Sequence, residues 1–427
     1  MSENEPMSEK IKRNSYFYIY TFLLLMWSCR TSFFWDLYSS NNVMSFVYLG
    51  VNFFFLKKYC KKASFKPFLI VSIIHVVWYV LSCVKYGIIL HFSYTILYDV
   101  FTIMIAYQMM KEKFFYYFDA VLSDLSLLCL LVWCGAELFP SVILPLVRAI
   151  SITPVGGLPM DCNFFVFGLS GQFEMGFRRN LGFTWEPGRY ACFLVLGLFV
   201  NLTINRCKIK SNRNFWILFL SLLSTFSTTG YVCMLFIFVY YVMNRNVLVK
   251  LFVAGLFAVL FPIILALSFM EVKIKDNMFK IDKSDVINAE YYMNEKNMDV
   301  LVPQRGLGAW IDVRNFIHDP LLGYASYEYS YGNTVLSKGS KIVTSNGLIK
   351  IFAEHGFAYA LFFYAMLFRS SVSFAKRYKV KGPLILGIVF ATISFSYDFW
   401  GGFFLYFVLY SLFVKYDKEI KQERRVS

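Results

Sequence analysis

Arg305-Gly-Leu-Gly-Ala-Trp310-Ile-Asp312-Val-Arg314-Asn-Phe-Ile-His318-Asp319-Pro320-Leu-Leu-Gly323-Tyr324 lies within residues 271–345, the one long polar interval in a chain that otherwise passes from one apolar run to the next. The interval holds nine Lys or Arg against ten Asp or Glu and is nearly neutral, while the whole chain carries +15. The positive excess therefore sits between the apolar runs. Leu307, Trp310, Ile311, Arg314 and Ile317 recur at helical spacing, which predicts a short amphipathic helix over 306–317 that Asp319-Pro320 would end. Arg314 and His318 share a face of that helix, and Arg305 precedes it.

At 427 residues and 58% hydrophobic, with 48 Phe and 30 Tyr, the composition is that of a polytopic membrane protein. The mean hydropathy of +0.54 agrees. Of nine cysteines, most fall in apolar runs (Cys83, Cys129, Cys134, Cys192, Cys233) as small hydrophobes, and Cys162, which reads as exposed, has no evident partner, so no disulfide framework is expected. The basic residues form short clusters between apolar runs, as in cytoplasmic loops, and this argues against nucleic acid as the reason for a pI near 9.2. Residues 1–14 are polar and many apolar runs follow the first, so no cleavable leader is expected.

A bilayer crossing takes roughly 17 to 25 apolar residues. Such runs lie near 15–35, 40–56, 67–84, 89–109, 116–137, 188–205, 214–229, 230–243, 248–270, 346–368, 383–399 and 401–415. Basic clusters at Lys10/Lys12/Arg13, Lys57/Lys58/Lys61/Lys62, Lys111/Lys113, Arg206/Lys208/Lys210/Arg213, Arg245/Lys250, Lys376/Arg377/Lys379/Lys381 and Lys415 to Arg425 each follow an even number of runs. The expected fold is thus an all-α polytopic bundle of about twelve transmembrane helices with both termini cytoplasmic. It divides into residues 1–137 with five spans, an outer segment 138–187, residues 188–270 with four spans, the large outer loop 271–345, and residues 346–427 with three spans and a basic tail. The run 214–243 is split at Ser227-Thr-Thr-Gly230, where hydroxyl residues and glycine break a helix, leaving halves of about 22 Å. That length suggests a thinned or re-entrant site. In the first outer segment, Pro140, Pro145, Pro154, Gly156, Gly157 and Pro159 exclude a continuous helix, and the apolar piece 164–169 is expected to dip into the interface.

Three sets of residues point to chemistry. Arg178-Arg179-Asn-Leu-Gly182-Phe-Thr-Trp185-Glu186-Pro187-Gly188-Arg189-Tyr190 starts a helix at Pro187, with Glu186 suited to the positive helix end and Arg189 opposed to it. Such a placement fits either an anion site or arginines paired with lipid headgroups. The second set is Arg305, Arg314 and His318; its bland counterpart is a helix resting on the membrane with solvated arginines. The third is Asn346, Lys350 and Glu354, a polar stripe that faces the bundle interior as a Lys–Glu pair or as part of a site. Asp99, Asp119, Asp124 and Asp398 raise the same question. The four histidines, His75, His91, His318 and His355, are scattered, so no metal site and no cofactor are expected, and neither a P-loop nor GxSxG occurs.

Gly182-Phe-Thr-Trp185-Glu186-Pro187-Gly188, Ser227-Thr-Thr-Gly230, Arg305 with Trp310, Pro320-Leu-Leu-Gly323, Ser345-Asn346-Gly347 and Glu354-His355-Gly356, in that order, resemble the O-antigen polymerase and ligase superfamily. The similarity covers residues 178–356. It implies a C-type glycosyltransferase fold in the bacterial inner membrane with a large periplasmic loop, acting on sugars carried by undecaprenyl pyrophosphate. It also implies roles. Arg178, Arg189, Arg305 and Arg314 would hold the pyrophosphate, Arg305 foremost, Arg179, Tyr324 and Asn346 would also bind substrate, and Glu186 and His318 are the base candidates. Guanidinium groups from the two segments are expected to meet on the outer leaflet. Ligases of the superfamily show His-Asn where this chain has Ser345-Asn346, which favours a polymerase, with a chain-length regulator as an added partner. Ligase, lipid-linked oligosaccharide flippase, membrane acyltransferase and membrane scaffold are the alternatives. A flippase would have short outer loops and two symmetric halves, and an acyltransferase paired His or His/Asp motifs.

Overall fold

The computed structural model describes residues 14–29, 42–60, 64–151, 160–164, 166–245, 255, 305–330 and 342–426. The expected span 248–270, most of the large loop, and the basic residues Lys10, Lys12, Arg13, Lys61, Lys62 and Lys250 lie outside them. The described chain is mostly helical: α1 (Ser15–Cys29), α2 (Asn42–Tyr59), α3 (Lys66–Tyr86), α4 (Thr95–Met110), α5 (Lys113–Leu138), α6 (Pro140–Ala149), α7 (Pro187–Ile204), α8 (Arg213–Ser224), α9 (Thr228–Met243), α10 (Arg305–His318), α11 (Gly347–Tyr378), α12 (Ile385–Ser396) and α13 (Leu405–Val426). Among the described residues, α3, α5, α7 and α11 are long and apolar enough to cross a membrane.

The all-α expectation needs a correction. Between α6 and α7 the chain forms a three-stranded antiparallel sheet, β1 (Met160–Phe164), β2 (Phe167–Glu174) and β3 (Phe177–Gly182), in the order β1-β2-β3. Met160-Asp-Cys-Asn-Phe164 and Phe167-Gly-Leu-Ser-Gly-Gln-Phe-Glu174 alternate apolar and polar residues at period two, and Met175-Gly176 supplies two positive-φ residues (53° and 84°) for the second hairpin. The apolar piece 164–169 is the first hairpin, with Phe164 opposite Phe167.

The contacts divide the chain into two compact units: 1–63 with 102–258 and 371–389, and 64–101 with 259–370 and 390–427. In the first unit α7 is buried along its whole length and packs on α5, α8, α9 and β3. A buried polar knot ties three of these helices. Asn201 Nδ2 donates to Asp119 Oδ1 (2.8 Å), Asn214 Nδ2 to Asp119 Oδ2 (2.8 Å) and Asn212 Nδ2 to Asn201 Oδ1 (2.7 Å). Both carboxylate oxygens are satisfied, which makes a charge-bearing group tolerable there. The expected break is present: α8 stops at Ser224, Phe226 takes φ 47°, and the Ser227 hydroxyl caps α9 by accepting from Gly230 N (3.3 Å).

In the second unit the span expected over 346–368 is α11, interrupted at Gly356 (φ 79°, ψ 178°). The interruption frees carbonyls, and the turn after α10 takes them up. Tyr324 N donates to Ala353 O (3.0 Å), Ala325 N to Glu354 O (3.1 Å), and Phe357 N returns a bond to Pro320 O (2.8 Å). Trp78 Nε1 on α3 holds the same turn through Leu322 O (2.9 Å), and Lys85 Nζ through Gly323 O (3.1 Å).

Candidate functional site

Helix α10 spans the segment that its periodicity predicted, but it is rolled differently. Gly306, Leu307, Gly308, Ile311, Asp312 and Asn315 form the buried face, while Val313, Arg314, Ile317 and His318 are exposed. Gly306 and Gly308 share the buried face with Asp312, so the inward stripe carries Asp312 where the apolar pattern pointed to Arg314. Arg305 is two turns before Asp312, which puts the two on one face about 10 Å apart along the axis. Its guanidinium donates from Nη1 to Ser396 Oγ (3.1 Å) and from Nη2 to Tyr397 OH (3.2 Å), and lies 5.1 Å from the Tyr397 ring. A guanidinium held at the positive end of a helix is a combination that attracts anions.

Asp312 is fully buried. Its Oδ1 accepts from Thr344 Oγ1 (2.8 Å), and Oδ2 has no hydrogen-bond partner among the described residues. Burial pushes this carboxyl up to about 8; Glu354 and Asp398 add to the rise, against the Thr344 hydrogen bond and the Lys350 charge. Lys350 Nζ is 3.1 Å from Asp398 Oδ2, so its partner is Asp398 and the expected Lys350–Glu354 pair is corrected. Asp398 is 44% exposed and marks the open side of the cluster. Asn346 caps α11: its Oδ1 accepts from Leu348 N (3.1 Å) and Ile349 N (3.2 Å), and its buried Nδ2 has no partner among the described residues. Trp400 Nε1 fixes that helix start by donating to Gly347 O (2.6 Å).

The carboxyl supports a pH prediction. Folded Asp312 binds a proton up to about 8, while the unfolded chain releases it near 4, so the folded state holds more protons across that window. Stability therefore falls as pH rises from about 4 to about 8 and is level above. Thermal midpoints in detergent are expected to drop across this range, and Asp312→Asn is expected to flatten the curve.

The remaining residues of the second unit are placed as follows. Arg314 is exposed, 5.4 Å from the Trp310 ring. His318 has 61% of its side chain exposed, with Nδ1 3.2 Å from Asp319 Oδ2. Tyr324 is buried and contributes its backbone N–H to the α11 interruption.

Arg178, Arg179, Glu186 and Arg189 belong to the first unit. Arg178 N donates to Glu137 Oε1 (3.1 Å), with Nε 3.8 Å from the same oxygen. Arg179 donates from Nε to Thr225 O (3.2 Å) and from Nη2 to Phe226 O (3.4 Å), the carbonyls released where α8 ends. This explains how a helix break is kept in an apolar setting. Arg179→Ala is expected to leave both carbonyls short of a donor, at about 1–3 kcal/mol each. A thermal midpoint lowered by several degrees, only partly recovered by Lys, would show it. Arg189 is buried and donates from Nη2 to Ser28 O (3.0 Å). Glu186 takes the N-cap position of α7 with extended backbone, but its side chain makes no capping bond.

Sequence reasoning did not single out Asp312 or Thr344. The signal for Asp312 was its i+7 relation to Arg305 on a glycine-lined stripe; Thr344 carried none. Among the described residues no three His, Cys, Asp or Glu side chains converge as a metal ion would require. The fold and site define a helical protein with four helices, among the described residues, long and apolar enough to cross a membrane, and a polar cluster in which Asp312 and Lys350 are buried and Asp398 is exposed. No family model, curated protein or solved structure matches the chain.

Proposed function

We propose that the protein is a bacterial inner-membrane glycosyltransferase that polymerises oligosaccharide repeat units carried on undecaprenyl pyrophosphate, at the periplasmic face, with about twelve spans and both termini cytoplasmic. The observation that carries this reading is Arg305: a guanidinium with its plane fixed by Ser396 and Tyr397 at the head of α10, on the same face as Asp312. A glycosyl pyrophosphate is already activated, so the transfer needs a cation to hold the leaving group and a base for the acceptor hydroxyl. Arginine suits the first task because its fork binds phosphate oxygens bidentately. Arg314 offers a second cation on the exposed edge of α10, and Asn346 a donor for positioning a sugar. The order of motifs from Gly182 to Gly356 supports the same reading, and Ser345 in place of histidine favours a polymerase over a ligase. A ligase would differ in its acceptor, a lipid A core.

The test is direct. Purified protein in nanodiscs, given lipid-linked repeat units alone, is expected to yield a ladder of lengthened glycans. Repeat units recovered unextended would refute the polymerase, and extension only after lipid A core is added would assign a ligase.

A further inference from the structure

We propose that Asp312 is the proton acceptor of this transfer, its Oδ2 taking the hydroxyl proton of the incoming sugar. The inference rests on the glycosyl-transfer reading above and names a residue that the resemblance did not supply. Of the base candidates drawn from the resemblance, His318 is less suited, being mostly exposed and already beside Asp319. Asp312 has the features a base requires. Thr344 anchors one oxygen and so fixes the carboxyl plane, while the second oxygen is enclosed without a hydrogen-bond partner among the described residues. A buried acceptor left in this way is costly unless something arrives to use it.

Asn346 Nδ2, two residues beyond Thr344, is a buried donor in the same condition, so the cluster offers an acceptor and a donor to one polar guest. A sugar presents that combination at every hydroxyl. The side of the cluster open to solvent is that of Asp398, whose side chain is 44% exposed. In the step itself, the acceptor oxygen forms a bond to the anomeric carbon as the bond from that carbon to the pyrophosphate oxygen breaks. The electron pair leaves with the pyrophosphate, held by Arg305. The hydroxyl proton passes to Asp312 Oδ2 and then to water when the product departs.

The experiment uses the full chain in nanodiscs with lipid-pyrophosphate-linked repeat units. Asp312→Asn is expected to slow extension on the order of 100-fold or more, while binding of the lipid-linked unit stays near that of the parent and the thermal midpoint at pH 6 is no lower. Thr344→Val removes a bond that stabilises the ionised carboxyl, so the acid limb of the rate profile should move to higher pH, a shift that a purely structural role would not produce. His318→Gln should leave rate and profile unchanged. Extension by Asp312→Asn at the parental rate, or an acid limb unmoved in Thr344→Val, overturns the assignment, and the second result decides alone if Asp312→Asn does not fold. An active Asp312→Asn beside an inactive Arg305→Ala would reject Asp312 and leave glycosyl transfer standing. No extension by the parent protein would reject both.

Discussion

Arg305→Ala is expected to abolish the glycan ladder while the protein accumulates and melts as the parent does. The guanidinium is the cation that the proposed site uses against the leaving pyrophosphate, and Ser396 and Tyr397 hold its plane. Two charge-assisted hydrogen bonds to phosphate are worth about 1.5–3 kcal/mol each, so their loss predicts a rate lower by on the order of 10²- to 10⁴-fold. Arg305→Lys keeps the charge but loses the fork and the stacking on Tyr397, so it should recover only a small part. The structural role is modest by comparison, since Ser396 and Tyr397 retain other ways to satisfy a hydroxyl. Ladder length on a gel, beside a melting curve for each variant, separates the two effects.

Gly356→Ala is expected to prevent assembly of the second unit. The residue has φ 79° and ψ 178°, a region open essentially to glycine, and holding another residue there costs about 1–3 kcal/mol. Sterics add to this. A Cβ would lie 2.1 Å from Leu321 O and 2.4 Å from Leu321 C, which are backbone atoms and cannot rotate away. Gly323 faces the same junction from the other side, where a Cβ would meet Glu354 C and O at 2.4 Å. Relief requires separating the two chains and losing the bonds from Tyr324, Ala325 and Phe357. Size-exclusion chromatography and thermal unfolding would show an aggregated or strongly destabilised variant; a midpoint within a degree of the parent would contradict the described junction.

The legible parts of this structure were those encoded locally. Pro187 opened a helix where a proline at the first position is favoured, Ser227 to Gly230 broke one, and the apolar rhythm from Leu307 to Ile317 gave α10 to within a residue at each end. Pro320-Leu-Leu-Gly323 and Glu354-His355-Gly356 stood out as motifs, and their packing explains why both need glycine. What stayed hidden depends on distant neighbours. Asp398 lies 48 residues from Lys350, whereas Glu354 is one turn away, so spacing alone favoured the wrong partner. The buried face of α10 includes Gly306 and Gly308, and apolar periodicity does not count a glycine. Arg179 read as an anion ligand because arginine near a helix start suggests one; its use on the Thr225 and Phe226 carbonyls follows only from the fold. The sheet is hidden in the sequence because the proline and glycine density before it reads as irregular chain and outweighs the period-two alternation at 160–164 and 167–174.

The most direct test is titration of undecaprenyl pyrophosphate, without any sugar, against the purified protein and its Arg305→Ala variant. A dissociation constant raised at least tenfold in the variant, at unchanged melting temperature, is the result expected if Arg305 holds the diphosphate. Equal affinity in the two proteins would contradict it.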